Sequence, residues 1–500
     1  MAIRLGNREQ IEMLPAYIEE YVPQDAPVRV YDTFVEALDL AELGIKSDPQ
    51  KEGNPSYDPK AMLKLLVYGY SYGVRSSRKL EREAHYNLSF IWLLGGLKPD
   101  HKTIAEFRRK YKDALKKVLR QCVRMCIKLN LIAGSILFLD GSKIRANASI
   151  KNTWTVEKCE RVLTKIDKKI DELLAQSEAI DKVEEGQPSL VTVSEELANA
   201  QTMKERVTEI MVELRGDREK TLNTVDKECT RINSVHGTHA GYNAQVVTDD
   251  KHGLIVSSDA VASNNDLGQF SAQIGKANEE MGTKCQVAVA DSGYAWTEDL
   301  AKIDKEEIRV IVPSQRLASG KEVDEFDKRN FLYDDAGDSY VCPKGKVLTC
   351  YGRTRRNDGN RYTITDKGIC LECPAYGKCT KGKRGRTVQR LDEEALRERL
   401  EKEFALGANQ EIYKRRQQKA EPVYGHIKRN LGVTGFLLRG LEGVRAEMGL
   451  LSLCFNLRRM ITLLGITGLI QELAQAVRLK KLLLLWLKRR ETIFSAFYLN

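Results

Sequence analysis

Two short apolar runs, each closed by an aspartate, most constrain what this chain can fold into. Ile136-Leu-Phe-Leu139 ends at Asp140, and Val287-Ala-Val-Ala290 ends at Asp291. A short apolar run without polar alternation reads as a strand covered on both faces, as in the parallel part of an α/β sheet. A third run, Ile308 to Pro313, reads the same way. Helical spacing separates these runs: Phe270, Ile274 and Met281 behind an Asn264-Asn265-Asp266 cap, and a further helix capped by Thr297. If the first two strands are neighbours, both carboxylates emerge at their C-terminal edge, where open sheets bind ligands. One aspartate ending a strand is ordinary turn chemistry; metal chemistry on phosphodiesters needs a third acid.

The remaining sequence divides by period. Residues 1–132 read as a helical domain, with Met62, Leu65, Leu66 and Tyr70 on one face. Thr103 to Glu106 reads as a capping box opening a long helix through Phe107, Tyr111, Leu115, Val118 and Met125. Between them, Arg75-Ser-Ser-Arg78-Lys79 marks a basic helix start of the kind that meets DNA phosphates, so Arg78 is a candidate contact. Residues 136–149 read as strand, turn, strand, placing Lys143 and Arg145 after Asp140. Residues 151–230 read as an antiparallel helical hairpin, one helix from Val156 to about Leu174 and another from Ser194 to about Cys229. The strand pair around the Asp249 to Gly253 turn belongs with the α/β core, expected over 133–150, 231–314 and, as helices, 391–465. Residues 466–500 form a helical tail.

Composition is informative mainly where it is uneven. With 42% apolar and 30% charged residues in 500, the chain is globular and large enough for several domains. An uninterrupted apolar run of membrane-spanning length and an N-terminal signal core are both missing, so a cytoplasmic protein with no membrane partner is expected. Most of the 11 cysteines stand singly, which is not a secreted disulfide framework. The net charge of +10 is concentrated: from Cys342 to Arg390, 13 residues are Lys or Arg and 3 are Asp or Glu. Such a segment suits a polyanion. Arg353, Arg355, Arg356, Lys383, Arg384 and Arg386 are its candidate phosphate contacts. The same segment, within an insertion expected over 315–390, carries Cys342, Cys370, Cys373 and Cys379. The Cys370-x-x-Cys373 bite with two further thiolates can hold a structural Zn²⁺; reduced loop cysteines are the alternative.

The third acid is sought in "YKRRQQKAEPVYGHIKRNLG", where Glu421 and Lys428 lie two helical turns apart. Pro422 places Glu421 at a helix start or kink. Glu447, in apolar surroundings, is the reserve. Together "FLDGSKIRANAS", "HGTHAGYNAQ", "VADSGYA" and "AEPVYGHIKRNLG" resemble the DDE transposases of bacterial insertion sequences. "YDPKAMLKLLVYGYSYGVRSSRKLEREA" resembles the InsH-type N-terminal domain of those enzymes. The resemblance implies an α/β, RNase H-like mixed sheet flanked by helices. It also implies catalytic acids Asp140, Asp291 and Glu421 holding two Mg²⁺ (or Mn²⁺) ions. Tyr413, Arg416 and Lys428 fall on the family's third motif, although the gap from Arg416 to Glu421 is one residue longer than usual. With Lys143 and Arg145, these are expected near DNA phosphates. The implied partners are double-stranded DNA, as terminal inverted repeats and target, and a second copy of the chain on that DNA in a bacterial nucleoid. The competing functions are an RNase H-like nuclease that does not join strands and a silent DNA-binding derivative.

Overall fold

The computed structural model describes residues 17–45, 56–181, 189–216, 221–234, 237–318, 324–355 and 358–497. Helices open the chain: α1 (Pro27–Ala37), α2 (Pro59–Ser71), α3 (Ser77–Tyr86), α4 (Leu88–Leu93), α5 (His101–Lys110) and α6 (Lys112–Lys128). Asp58 caps α2 by accepting the Lys60 N–H at 3.0 Å, with Pro59 in the first turn where its missing N–H costs nothing. The expected capping box is displaced. Asp100, three residues earlier, accepts the N–H groups of Lys102 and Thr103, both at 2.8 Å, while Glu106 turns to Arg109. The expected long helix is two, broken at Tyr111, whose φ of −108° and ψ of 31° leave the helical region.

Strand β1 (Ile136–Arg145) runs through Asp140 without the turn read from the sequence. Two strands and two helices follow as a hairpin: β2 (Thr153–Trp154), α7 (Val156–Asp181), α8 (Ser189–Gly216) and β3 (Leu222–Asn223). Cys159, Val207, Ile210 and Leu214 pack between the helices, and the β2–β3 ladder closes their base. The second helix stops at Gly216, well short of Cys229, and the chain returns as β4 (Thr230–Ser234), β5 (Gly237–Asp249) and β6 (Ile255–Val261), an antiparallel meander. Gly241 of β5 is required by close approach: a Cβ there would stand 2.6 Å from the Ile144 carbonyl oxygen.

Then come α9 (Phe270–Met281), β7 (Val287–Val289), α10 (Thr297–Asp304), β8 (Arg309–Ile311) and the short α11 (Gln315–Ala318). The α9 cap position is Gln269 and the α10 cap position is Trp296, so neither Asp266 nor Thr297 does the capping expected of it. Strands β9 (Leu332–Asp334), β10 (Ser339–Val341), β11 (Val347–Arg353), β12 (Gly359–Ile364) and β13 (Thr387–Leu391) form an antiparallel meander, with α12 (Lys367–Leu371) before the last. Helices α13 (Glu394–Phe404), α14 (Gly407–Lys419) and α15 (Glu421–Gly425) lead through a π-helical turn, His426–Asn430, to α16 (Leu441–Phe497), interrupted at Gly465. The chain is a mixed helix and sheet protein of the α/β kind.

These elements group into two compact units, 1–132 with 141–265 and 421–500, and 133–140 with 266–420. In the first, α16 is the core helix and packs against α1, α2, α6 and β6. Val444, Leu450, Leu453 and Leu457 are fully buried on it, each contributing about 1.5–3 kcal/mol of burial. Leu441–Gln475 is apolar and long enough to cross a membrane, a stretch the sequence reading did not find. Within its unit it carries buried polar groups with partners. The Asn456 amide accepts the Ile255 N–H and donates to the Ile255 carbonyl, both at 2.8 Å, as a neighbouring strand would. Glu447 meets Arg75 at 2.9 Å and accepts the N–H groups of Leu437 and Leu438.

In the second unit, the first half of β1 pairs in parallel with β7, and β7 with β8. Phe138, Val289 and Ile311 form its core with Ile412 and Tyr413 of α14 and Phe404 of α13. The five-stranded meander has its own core of Phe331, Tyr340, Leu348, Tyr362 and Val388.

Candidate active site

The β1–β7 register places Phe138 beside Val289. Asp140 lies two residues beyond Phe138, inside β1, and Asp291 lies two residues beyond Val289, just past the end of β7. Asp140 is largely buried, 13% exposed at the side chain, and the Arg416 guanidinium of α14 lies 3.4 Å from its Oδ1. Arg416, read as a DNA contact, thus stands at a catalytic candidate. Its motif neighbour Tyr413 packs edge-on to Phe404, with ring centroids 5.1 Å apart, and belongs to the core beneath.

Asp291 opens the turn Ser292–Tyr294 by accepting the Gly293 N–H at 2.8 Å. Gly293 leaves little space for a side chain. A Cβ there would lie 2.9 Å from Asp291 Oδ1 and 3.6 Å from Asp266 Oδ2. Asp266, read as a helix cap, is therefore a second carboxylate beside Asp291. The signal was present in the sequence: Asp266 lies four residues before Phe270, too far to cap α9.

In the other unit, Glu421 is exposed and opens α15, as Pro422 dictates. Lys428 lies in the π-helical turn, so a simple two-turn spacing from Glu421 does not describe its face. Its ammonium donates to Ser142 Oγ at 2.6 Å, two residues past Asp140 in sequence. Ser142 was missed because a lone serine after Asp-Gly resembles any turn residue. Arg145 is exposed and its carbonyl accepts the Phe436 N–H at 2.8 Å. Lys143 is half-buried.

The expected basic contacts separate by partner. Arg353 forms a two-pronged pair with Asp392, at 2.6 and 2.7 Å. Arg386 donates to the carbonyls of Cys379 and Phe326 and lies over the Phe331 ring, holding the meander together. Arg78, Arg355, Lys383 and Arg384 are exposed, and Arg356 lies outside the described residues. Arg75, beside Arg78, is buried in its pair with Glu447. Burial pushes the carboxyl of Glu447, the reserve candidate, above the usual carboxylate range.

Cys342, Cys370, Cys373 and Cys379 line one small cavity of about 30 Å³, with Phe326, Leu348 and Ile364. The Cys342 sulfur accepts the Lys346 N–H at 3.3 Å. Burial raises the Cys379 thiol, and the other three thiols raise it further. Cys350 is exposed on β11, outside that cavity. Among the described residues, no three His, Cys, Asp or Glu side chains are already drawn together as a metal-binding group.

Two family models match the chain. A transposase domain of otherwise undefined function covers residues 16–110, and a transposase DDE domain covers residues 341–461. The chain thus carries both a transposase domain and a transposase DDE domain, consistent with a DDE transposase. The second match includes Cys342, Cys370, Cys373, Cys379, Arg416, Glu421 and Lys428; Asp140 and Asp291 lie outside it. No curated protein and no solved structure matches the chain.

Proposed function

We propose that this chain cuts DNA at the ends of an insertion element and joins the freed 3′-OH to target DNA. The observation that carries this reading is the parallel β1–β7 register, with Asp140 two residues beyond Phe138 and Asp291 two residues beyond Val289, on a chain that matches two transposase domain models. The parallel β1–β7–β8 set and the antiparallel β4–β5–β6 set are consistent with an RNase H-like core.

Asp140 and Asp291 offer hard carboxylate oxygens, the donor type Mg²⁺ and Mn²⁺ prefer, and Glu421 is proposed as the third acid. A bound divalent ion would supply charge at the attacked phosphodiester. Arg416 pairs with the Asp140 carboxylate and holds it in place. Lys428, Lys143 and Arg145 bind phosphate oxygens near the cut, and Ser142 orients Lys428. A water oxygen attacks phosphorus first and the leaving 3′ oxygen takes a proton. In joining, that 3′-OH attacks a target phosphodiester and a new 3′-OH leaves, so no oxidant or covalent enzyme bond is involved.

The four-cysteine cavity fits a structural Zn²⁺ by donor chemistry, since four thiols line it. Metal analysis of protein purified without chelator should give about one zinc per chain, and C370S/C373S should lose it; a zinc-free, fully folded wild type would refute this. The partners are double-stranded element ends, target DNA and a second copy of the chain, in the bacterial cytoplasm. The function is tested by incubating the protein with Mg²⁺ and DNA carrying its flanking repeats. Cleaved ends and joined product are expected. Cleavage without joining would favour the nuclease reading; a D140N variant that still cleaves would refute the site.

A further inference from the structure

A cleft of about 1360 Å³ in the second unit lies between the five-stranded meander and the loop that follows Asp291. That volume exceeds the 300–1,000 Å³ typical of small-molecule sites. Trp296, five residues after Asp291, stands on one wall and is 43% exposed; Tyr351 of β11 stands on the other and is 68% exposed. Both rings are fixed from behind. A Cβ on Gly268 would meet the Trp296 ring at 3.0 Å, so glycine there lets the indole lie against backbone. The Arg361 guanidinium backs Tyr351, 4.9 Å from its ring centroid.

The floor between them is hydroxyl-rich: Thr363 and Thr387 face each other across β12 and β13. Charges in the lining are equal in number, and two of the four acidic groups are engaged by hydrogen bonds. Asp366 caps α12 through the Gly368 N–H at 2.9 Å, and Asp358 accepts the Thr354 hydroxyl. Glu298 sits in the first turn of α10 and Glu393 at the cap position of α13, where helix dipoles already favour them. By contrast Arg355, Lys367 and Arg384 form no ion pair with any described residue.

Exposed rings on fixed supports, with uncommitted cations and hydroxyls between them, match what an unpaired strand offers: base faces to stack and phosphates to neutralise. A duplex hides its base faces. The geometry points to this cleft as a site for a single DNA strand, with bases stacked on Trp296 and Tyr351 and phosphates held by Arg355, Lys367 and Arg384. The inference rests on the transposase reading and deepens it: beyond the duplex repeats, the enzyme holds unpaired nucleotides beside Asp291.

The test uses the full-length protein and a fluorescein-labelled oligothymidylate of about 12 nucleotides, within the usual site-size range. Fluorescence anisotropy should show saturable binding by wild type. W296A and Y351A should each weaken it roughly 5- to 150-fold, the range for loss of one stacked base. W296F should retain most of it, which separates stacking from collapse of the loop, and unchanged melting of Y351A guards against misfolding. R355A/R384A should flatten the salt dependence. Equal binding by wild type, W296A and Y351A overturns the inference, as does no binding by wild type. Cleavage by D291N is read separately. If D291N cleaves as wild type does, the catalytic reading fails whatever the oligothymidylate result; if D291N is inactive and the aromatic variants bind normally, only the strand site fails.

Discussion

Gly293 and Arg75 show how much a single position can decide. A methyl group at Gly293 would crowd the Asp291 carboxylate, which folds back onto the Gly293 N–H. Gly293→Ala should push that carboxylate aside and lower DNA cleavage at least 10-fold, while unfolding free energy changes by about 1 kcal/mol. Parallel activity assays and denaturant melts check both halves. Arg75 was read as part of a DNA-facing helix start, yet its guanidinium is buried against Glu447 and the Gly435 carbonyl. Removing one partner strands a buried charge, so R75A should cost about 3–5 kcal/mol; the R75M/E447M pair should recover much of that loss. A double-mutant cycle by chemical denaturation measures it. Local sequence could not show this pair, since its members are 372 positions apart.

At the level of elements, strand identity was legible because unbroken apolar runs have few alternatives. The runs ending at Asp140 and Asp291 became β1 and β7, and their adjacency followed from both being buried parallel strands. Helix starts were less legible, because several residues compete to cap one N-terminus. Asp100 displaced Thr103 by reaching two N–H groups at once. The π-helical turn at His426–Asn430 was also invisible, as no residue type specifies it.

That turn gives a pH prediction. His426 Nδ1 faces the Asn430 amide nitrogen at 2.9 Å, and its ring stands edge-on to Phe455. Burial, and then the Arg458 charge, lower its pKa below 6.5. The folded state therefore holds fewer protons than the unfolded state as pH falls below about 6.5, and stability declines in that window. H426Q should flatten this slope between about pH 5 and 6.5, read from melts across that range.

For the whole molecule, each unit is assembled from distant segments of chain, and that organisation was not legible in composition or period. The opening helices α1, α2 and α6 pack on α16, over three hundred positions later. A fragment of residues 1–132 alone would leave Leu65, Leu66, Val118 and Cys122, all buried in the full chain, without that cover. It should melt without a cooperative transition, whereas the full chain should show one; calorimetry distinguishes the two. Local charge, by contrast, was legible at once. The cysteine segment's excess of Lys and Arg divides in the structure between groups that hold the meander, Arg353 and Arg386, and groups left to the cleft, Arg355 and Arg384.

The central claim is that Asp140 and Asp291 hold the divalent ion that drives DNA cleavage. The most direct test replaces Asp140 with cysteine and measures end cleavage in Mg²⁺ and in Mn²⁺. A thiolate is too soft for Mg²⁺ but acceptable to Mn²⁺. The account predicts an enzyme inactive in Mg²⁺ that regains cleavage in Mn²⁺, while D140A stays inactive in both. Full cleavage by D140C and D140A in Mg²⁺ would contradict it.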